Sequence, residues 1–532
     1  MGDVTGTGPT IAAALRRAVA VAPDAEAAVS GGTRLSYADL DRRCRHLAGA
    51  LLEAGLRPGD RVAVVGANSH QYLECYLAIP ATGLVLVPLN TRSSERELRA
   101  ALADAGTRWL FTDQPTPALA EAVERLVELG EDYERLLADA PAIPEWPGEV
   151  TEGDLAGLFY TGGTTGRAKG VMLPHRALVA NAFHFMAYWP FSERTRWLVA
   201  APMFHLAGTI GVLATVWRGG SHVFLPRFGG AGALDLAAAE GATHTLVVPT
   251  MLAAMADEQL RSPRRLTGLT HLAHGGSPCA TEILRRARSA FPGATLLHVY
   301  GATETAPIAT MFPEEERFLD LPRIRSCGQP AVGVDLRVVR EDRTPTSPGE
   351  VGEVEVRGPN VTIGYWQQPE ATASVLREGW YATGDLGRMD GESYLYLVDR
   401  AKDMIVTGGE NVYSTEVEEV LFRHPRVAEA AVFGVPDDTW GEAVMAVVVP
   451  RAEPVTVEEL LEHCRRELAG YKVPKRIELR AEPLPVSGAG KVLKRALREP
   501  YWEGRDVRIG GATLLSPPAP VPPSEPEPRA PA

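Results

Sequence analysis

Cysteine is scarce in this chain: Cys44, Cys75, Cys279, Cys327 and Cys464 are the five in 532 residues. They are odd in number, stand far apart and form no CxxC pair, which excludes a disulfide framework and a zinc-ribbon site. The expectation is buried free thiols in a reducing, cytoplasmic compartment. Positive charge is also short. Lys and Arg total 54 against 67 Asp and Glu, for a net charge of −13. That balance argues against nucleic acid as the main partner, because a phosphate backbone attracts a basic face. Long apolar runs are missing too. "GLVLVPL" (83–89) is among the longest, far short of the roughly 18 residues that span a membrane. "MGDVTGTGPT" has no basic segment followed by an apolar one, so no signal peptide is expected. Gly6 stands where a myristoylation motif wants Ser or Thr.

What is present is the material of a multidomain globular protein. A hydrophobic content of 45% and a charged content of 23% are ordinary, and 532 residues exceed what one core organises. In the first 150 residues, helical spacings such as "TIAAALRRAVAVAP", "HQYLECYLAIPATG" and "ERELRAALADAG" alternate with short strand-like runs: "RVAVVGAN", "LVLVPL", "TRWLFTD". The pattern resumes with "RWLVAAPMFH", "SHVFLPRF", "THTLVVPT" and "TLLHVYGAT". Strands alternating with helices predict βαβ units and a mainly parallel sheet. In such sheets ligands bind beyond the carboxyl ends of the strands. Near residue 330 the texture changes to short strands with Pro and Gly turns, "VDLRVVREDRTPTSPGEVGEVEVRGPN", which predicts a β-rich subdomain. A last block with "STEVEEVLFRHP" and "TVEELLEHCRREL" as helices and "VAEAAVFGVP", "AVMAVVVP" and "RIELR" as strands predicts a small α+β domain. The end is Pro-rich and reads as a disordered tail.

One strip stands out. "YTGGTTGRAKG" (160–170) puts four glycines, three threonines and two basic residues in eleven positions. Glycines permit close backbone approach, and hydroxyls with Lys169 suit an anion, of which phosphate is the obvious candidate. It is not a Walker A loop: Arg167 and Ala168 separate Gly166 from Lys169, and Gly170 stands where Ser or Thr is needed.

Together with "APMFHLAG" (201–208), "GGSP" (275–278), "YGATET" (300–305), "YATGDLGR" (381–388), "DRAKDMIVTGGENVYSTEVE" (399–418) and "GAGKVLKR" (488–495), the strip makes seven ordered blocks. In these, from about residue 10 to about 500, the chain resembles the adenylate-forming superfamily of acyl- and aryl-CoA synthetases, luciferases and peptide-synthetase adenylation domains. The resemblance implies an α/β protein: a large N-terminal domain of parallel-type sheets plus a β-rich subdomain (1–399), a small mobile α+β lid (400–511), and the Pro-rich tail (512–532). It implies an enzyme that joins a carboxylic acid to ATP, releases pyrophosphate and passes the acyl group to the thiol of coenzyme A, with Mg2+. The alternatives keep the scaffold and change the acceptor to a carrier-protein thiol, an amine, or nitrite as in ATP-dependent diazotases. The implied partners are the acid, ATP and CoA; a homodimer is left open.

The resemblance also implies roles for residues. Thr161, Gly162, Gly163, Thr164, Thr165, Gly166 and Lys169 would hold the β- and γ-phosphates. Thr303 would bond the α-phosphate and Glu304 would hold Mg2+, a hard cation suited to carboxylate oxygen. Gly275, Gly276, Ser277, Tyr300 and Gly301 would surround adenine. Asp385 would accept the ribose hydroxyls, with Arg400 beside them. His205 would gate the acyl pocket. Lys491 would bridge the carboxylate and α-phosphate in one lid pose, and Lys402 would be the hinge to a second. That second pose would bring Gly408, Gly409, Trp440 and Lys475 to CoA. Pocket candidates for the acid are Phe183, Met186, Tyr188, Phe204, Thr209, Val248, His274 and Ala309, a mix that suits an aromatic or a medium to long acyl acid.

Overall fold

In a computed structural model of the chain, the structure describes residues 8–161, 169–314, 319–400, 403–408, 410–437, 439–451, 453–488 and 490–503. The alternation read from the first 300 residues resolves into two sheets. In the six-stranded one the order is 125–128, 107–112, 61–65, 85–88, 155–161, 169–174. Its first five strands run parallel and the last is antiparallel. In the nine-stranded one the order is 329–330, 310–314, 295–300, 271–275, 244–247, 196–199, 221–224, 26–30, 33–36. Six central strands are parallel, and antiparallel strands close both edges.

The helices begin where the sequence places caps. Ser36 and Asp39 exchange side-chain and backbone hydrogen bonds at the start of Tyr37–Glu53, and Ser94 and Glu97 do the same at Glu95–Ala105. Each pair satisfies N–H groups that a helix start leaves open. The helices Ile11–Val21, Tyr37–Glu53 and His70–Ala81 bury their apolar faces in one large core that also takes in strands of both sheets.

The strands 335–339, 352–357, 376–377, 380–389 and 395–400 form the expected β-rich unit, antiparallel throughout. The last block is α+β. Strands 405–407, 410–412, 427–437 and 441–450 pair antiparallel, and 476–479 adds in parallel. One core lies between this sheet and the helices Ser414–Phe422 and Val457–Glu467. All five cysteines carry free thiols. Among the described residues no helix is long and apolar enough to cross a membrane.

Candidate active site

The nine-stranded sheet ends its parallel strands His244–Val247, His271–Gly275 and Thr295–Tyr300 side by side. A cleft opens at those carboxyl ends, where open α/β sheets bind ligands. Gly275, Gly276, Gly301, Thr303, His205 and Lys491 line it, and Ala207, Ile210, Leu246, Val299, Ala302 and Pro307 give it an apolar wall. Gly275 is bare for a reason: a Cβ there would sit 2.1 Å from the Val299 carbonyl oxygen of the neighbouring strand. Gly276 follows at φ +83°, a conformation that side chains disfavour. Half-buried Ser277 comes next.

Lys491 reaches this cleft from the other end of the chain. Its loop is a tight turn: Ser487 donates its N–H to the Lys491 carbonyl at 2.7 Å, and Gly490 to that of Ser487 at 2.9 Å. The turn docks on the large domain. Thr250 Oγ1 donates to the Gly490 carbonyl at 2.9 Å, and Arg92 donates to that of Ser487 at 3.3 Å. Gly490 has φ +81°, and a Cβ on it would fall 2.8 Å from Val248 Cγ2. The Lys491 Cε lies 3.5 Å from where a Gly276 Cβ would be. The small domain is thus closed over the large one with its lysine inside.

His205 starts the short helix Leu206–Thr209, and its Nδ1 accepts the N–H of Ala207 at 3.3 Å. Desolvation, then the charge of Lys491, pushes its pKa down to about 3. The ring is therefore neutral at pH 7, with Nδ1 as acceptor and the proton on Nε2. A neutral donor fits a gate better than a counter-charge to a carboxylate.

Tyr300 and Asp385 come together from different sheets. The phenol donates to Asp385 Oδ2 at 2.8 Å, and the Asp385 N–H is fixed on Thr383 Oγ1 at 3.0 Å. The Tyr300 ring and the Asp385 carboxylate are thus one unit. Asp385 also stands opposite Arg400 across two antiparallel strands.

Glu304 is 9% exposed. Its Oε1 accepts the phenol of Tyr365 at 2.8 Å, and Lys169 Nζ lies 4.8 Å from the centre of the same ring. Among the described residues Oε2 carries no hydrogen bond, and no group of three or more His, Cys, Asp or Glu could hold a metal by itself. A single carboxylate still fits Mg2+, which takes one or two carboxylates plus substrate phosphates rather than a protein cage.

Thr161 and Lys169 face each other at the end of an antiparallel hairpin formed by Leu155–Thr161 and Lys169–Pro174. The strand after the strip was not read from the sequence. Gly162, Gly163, Thr164, Thr165, Gly166, Lys402, Gly409 and the residues after 503 lie outside the described residues, as does the side chain of Arg400.

Some predicted residues do not reach the cleft. Gly408, Trp440 and Lys475 belong to the small domain and line no part of it. Trp440 is 50% exposed and its ring covers Gly408, whose missing Cβ would meet it at 2.8 Å. Phe183 is a correction. It lies on the outside of its helix, exposed, with its ring 5.3 Å from that of Trp217.

Two residues were missed. Asn68 is buried and clamps the segment that delivers His205 (below). Tyr365 lies in "TIGYW", an apolar stretch that reads as plain core.

Residues 15–366 match the AMP-binding enzyme family and residues 416–491 its C-terminal domain. A feruloyl-CoA synthase from an Amycolatopsis species is 40% identical over 490 residues, covering 91% of this chain and 98% of that one. The fatty acid–[acyl-carrier-protein] ligase ScoC of Streptomyces coeruleorubidus is 35% identical over 494 residues, covering 90% and 94%. Among solved structures, the o-succinylbenzoate coenzyme A synthetase of Bacillus subtilis in complex with ATP and magnesium ion superposes with a TM-score of 0.82 at 30% identity, covering 91% and 98%. The chain belongs to the AMP-binding enzyme family.

Proposed function

We propose that this protein is an AMP-forming acid–CoA ligase acting on an aromatic acid of the hydroxycinnamate kind. The observation that carries the reading is the delivery of Lys491 into the cleft lined by Gly275, Gly276, Gly301, Thr303 and His205, with Tyr300, the neighbour of Gly301, bonded to Asp385. The 40% identity to a feruloyl-CoA synthase supports the aromatic acid.

In the first half-reaction the acid's carboxylate attacks the α-phosphorus of ATP and pyrophosphate leaves. Two anions must meet, so positive charge and alignment dominate the rate. Lys491 supplies charge between carboxylate and α-phosphate oxygens. Asp385 and Tyr300 fix the nucleoside, and Thr303 holds the α-phosphate. Lys169 and the hydroxyls of the glycine-rich strip hold the leaving pyrophosphate. Glu304 would hold Mg2+, which would offset the negative charge of the phosphates. His205 closes the acyl side as a neutral donor.

In the second half-reaction the CoA thiol attacks the acyl carbonyl and AMP leaves. In the closed pose Gly408 and Trp440 line no part of the cleft; for this step the lid (400–511) would turn about Lys402, which lies outside the described residues. Gly408, Gly409, Trp440 and Lys475 then meet CoA. Free cysteines throughout fit a reducing cytoplasm.

The test is thioester and AMP formation with ATP, Mg2+ and CoA, comparing ferulate, benzoate, octanoate and palmitate. Ferulate is expected to have the highest kcat/KM. A higher value for palmitate overturns the aromatic reading. Pyrophosphate release whose acyl group moves to a phosphopantetheinyl carrier protein but not to CoA overturns the acceptor, in favour of the chemistry named for ScoC.

A further inference from the structure

We propose that Tyr365 is a positioning residue for the first half-reaction: it turns one oxygen of Glu304 toward the metal and keeps that carboxylate from pairing with Lys169. The inference rests on Glu304 being the metal-facing carboxylate.

Three contacts hold this residue, which is 6% exposed. Its hydroxyl donates to Glu304 Oε1 at 2.8 Å. Its ring carries the Lys169 ammonium at 4.8 Å. Its backbone N–H is held by Thr372 Oγ1 at 2.9 Å.

The backbone around it is pinned to the hairpin that carries Lys169. Met172 donates to the Gly364 carbonyl at 2.9 Å, Ile363 to that of Met172 at 3.2 Å, and Trp366 to that of Gly170 at 2.8 Å. Val171 and Tyr365 form a β-bridge. Thr362 donates its N–H to the Glu304 carbonyl at 2.8 Å, which closes the loop onto the "YGATET" turn. The segment 362–366 is thus an extra edge that fixes the phosphate lysine relative to the metal carboxylate.

The chemistry needs such a spacer. Lys169 and Glu304 have opposite charge and approach the same ring. Paired with each other, they would withdraw a phosphate ligand and a metal ligand together. The Tyr365 ring takes the cation on its face, and its hydroxyl takes one carboxylate oxygen. Oε2 is left for a hard cation that arrives with the nucleotide.

The experiment measures binding without turnover. α,β-Methylene-ATP, which cannot release pyrophosphate, is titrated by calorimetry across a Mg2+ series in the absence of acid. The proteins are wild type, Tyr365→Phe and Glu304→Gln. AMP binding without Mg2+ and a melting curve accompany each. Tyr365→Phe keeps the ring and removes the hydroxyl. It is expected to raise the Mg2+ concentration for half-maximal analogue binding roughly tenfold, the usual scale for losing a partner of a metal ligand, with AMP affinity unchanged. A shift in Glu304→Gln with none in Tyr365→Phe overturns the inference alone. No shift in Glu304→Gln overturns the metal assignment and the inference with it. An equal loss of AMP affinity in Tyr365→Phe, with a lowered melting temperature, makes the residue structural and also overturns it.

Discussion

The Oδ1 of Asn68 accepts the backbone N–H of Met203 at 2.8 Å, while its Nδ2 lies within 3.0–3.2 Å of the carbonyls of Val199, Ala201 and Leu225. One buried amide follows a strand of the six-stranded sheet and holds the ends of two strands of the nine-stranded sheet. It thereby fixes Phe204 and His205 over the cleft. Asn68→Ala leaves several buried backbone groups without partners, each worth about 1–3 kcal/mol. The expected loss is at least about 3 kcal/mol in urea unfolding, with a raised KM for the acid. A loss below about 1 kcal/mol would show that water or backbone movement replaces the clamp.

Glu74 is fully buried, hydrogen-bonded to Arg43 at 2.7 Å and to the Tyr133 phenol at 2.8 Å. Burial pushes its pKa up, and the Arg43 charge opposes this. Arg43→Met strands the carboxylate and should cost about 3–5 kcal/mol. The double variant Arg43→Met/Glu74→Met should recover much of that, because two apolar side chains need no solvation. Equal losses in single and double variants would contradict the pairing.

Imidazoles shielded from water make the fold acid-sensitive. His175 and His184 have pKa values lowered to about 4, and His205 and His244 to about 3, with desolvation the largest cause in each. Their unfolded value is near 6.5, so below it the unfolded chain binds more protons than the folded one. Stability is complete above pH 6.5 and falls with pH until the folded values are passed. Each group contributes a slope of about 1.4 kcal/mol per pH unit. Melting temperatures between pH 8 and pH 4.5 should be flat, then decline below pH 6.5. His184→Gln should flatten the decline.

Lys491→Ala should lower pyrophosphate release strongly, by roughly a hundredfold or more, and leave thioester formation from supplied acyl-AMP largely intact. Gly490→Val should mimic it, because a side chain at φ +81° against Val248 prevents the closed pose. Parallel measurement of the two half-reactions decides. If both fall equally, Lys491 does not belong to one pose only.

Lys402→Pro tests the hinge. Proline fixes φ near −65°, so acyl-AMP should still form while CoA transfer falls by roughly tenfold to a thousandfold. Normal thioester yield from a well-folded variant would remove Lys402 from the hinge.

The sequence alone determined the chemistry-bearing segments. Glycine-rich blocks, strand-ending polar turns and helix caps are local. "YTGGTTGRAKG", "YGATET" and the Ser36–Asp39 cap state their backbone needs within a few residues. Strand and helix alternation, the β-rich unit and the α+β end were legible for the same reason, since periodicity is set by near neighbours. Partners in space were not legible. Glu26–Ser30 pairs with Ser221–Phe224, a choice among several apolar strands of similar composition that only packing of the whole core resolves. Nothing in the residues next to Asn68 or Tyr365 marks either one. Their roles come from groups 131–157 and 61 residues away. Phe183 looked like pocket and turned outward, because the same helix offers Phe185 to the core instead. The tertiary structure decided which buried polar groups meet, because a buried donor or acceptor must find a partner wherever the chain brings one.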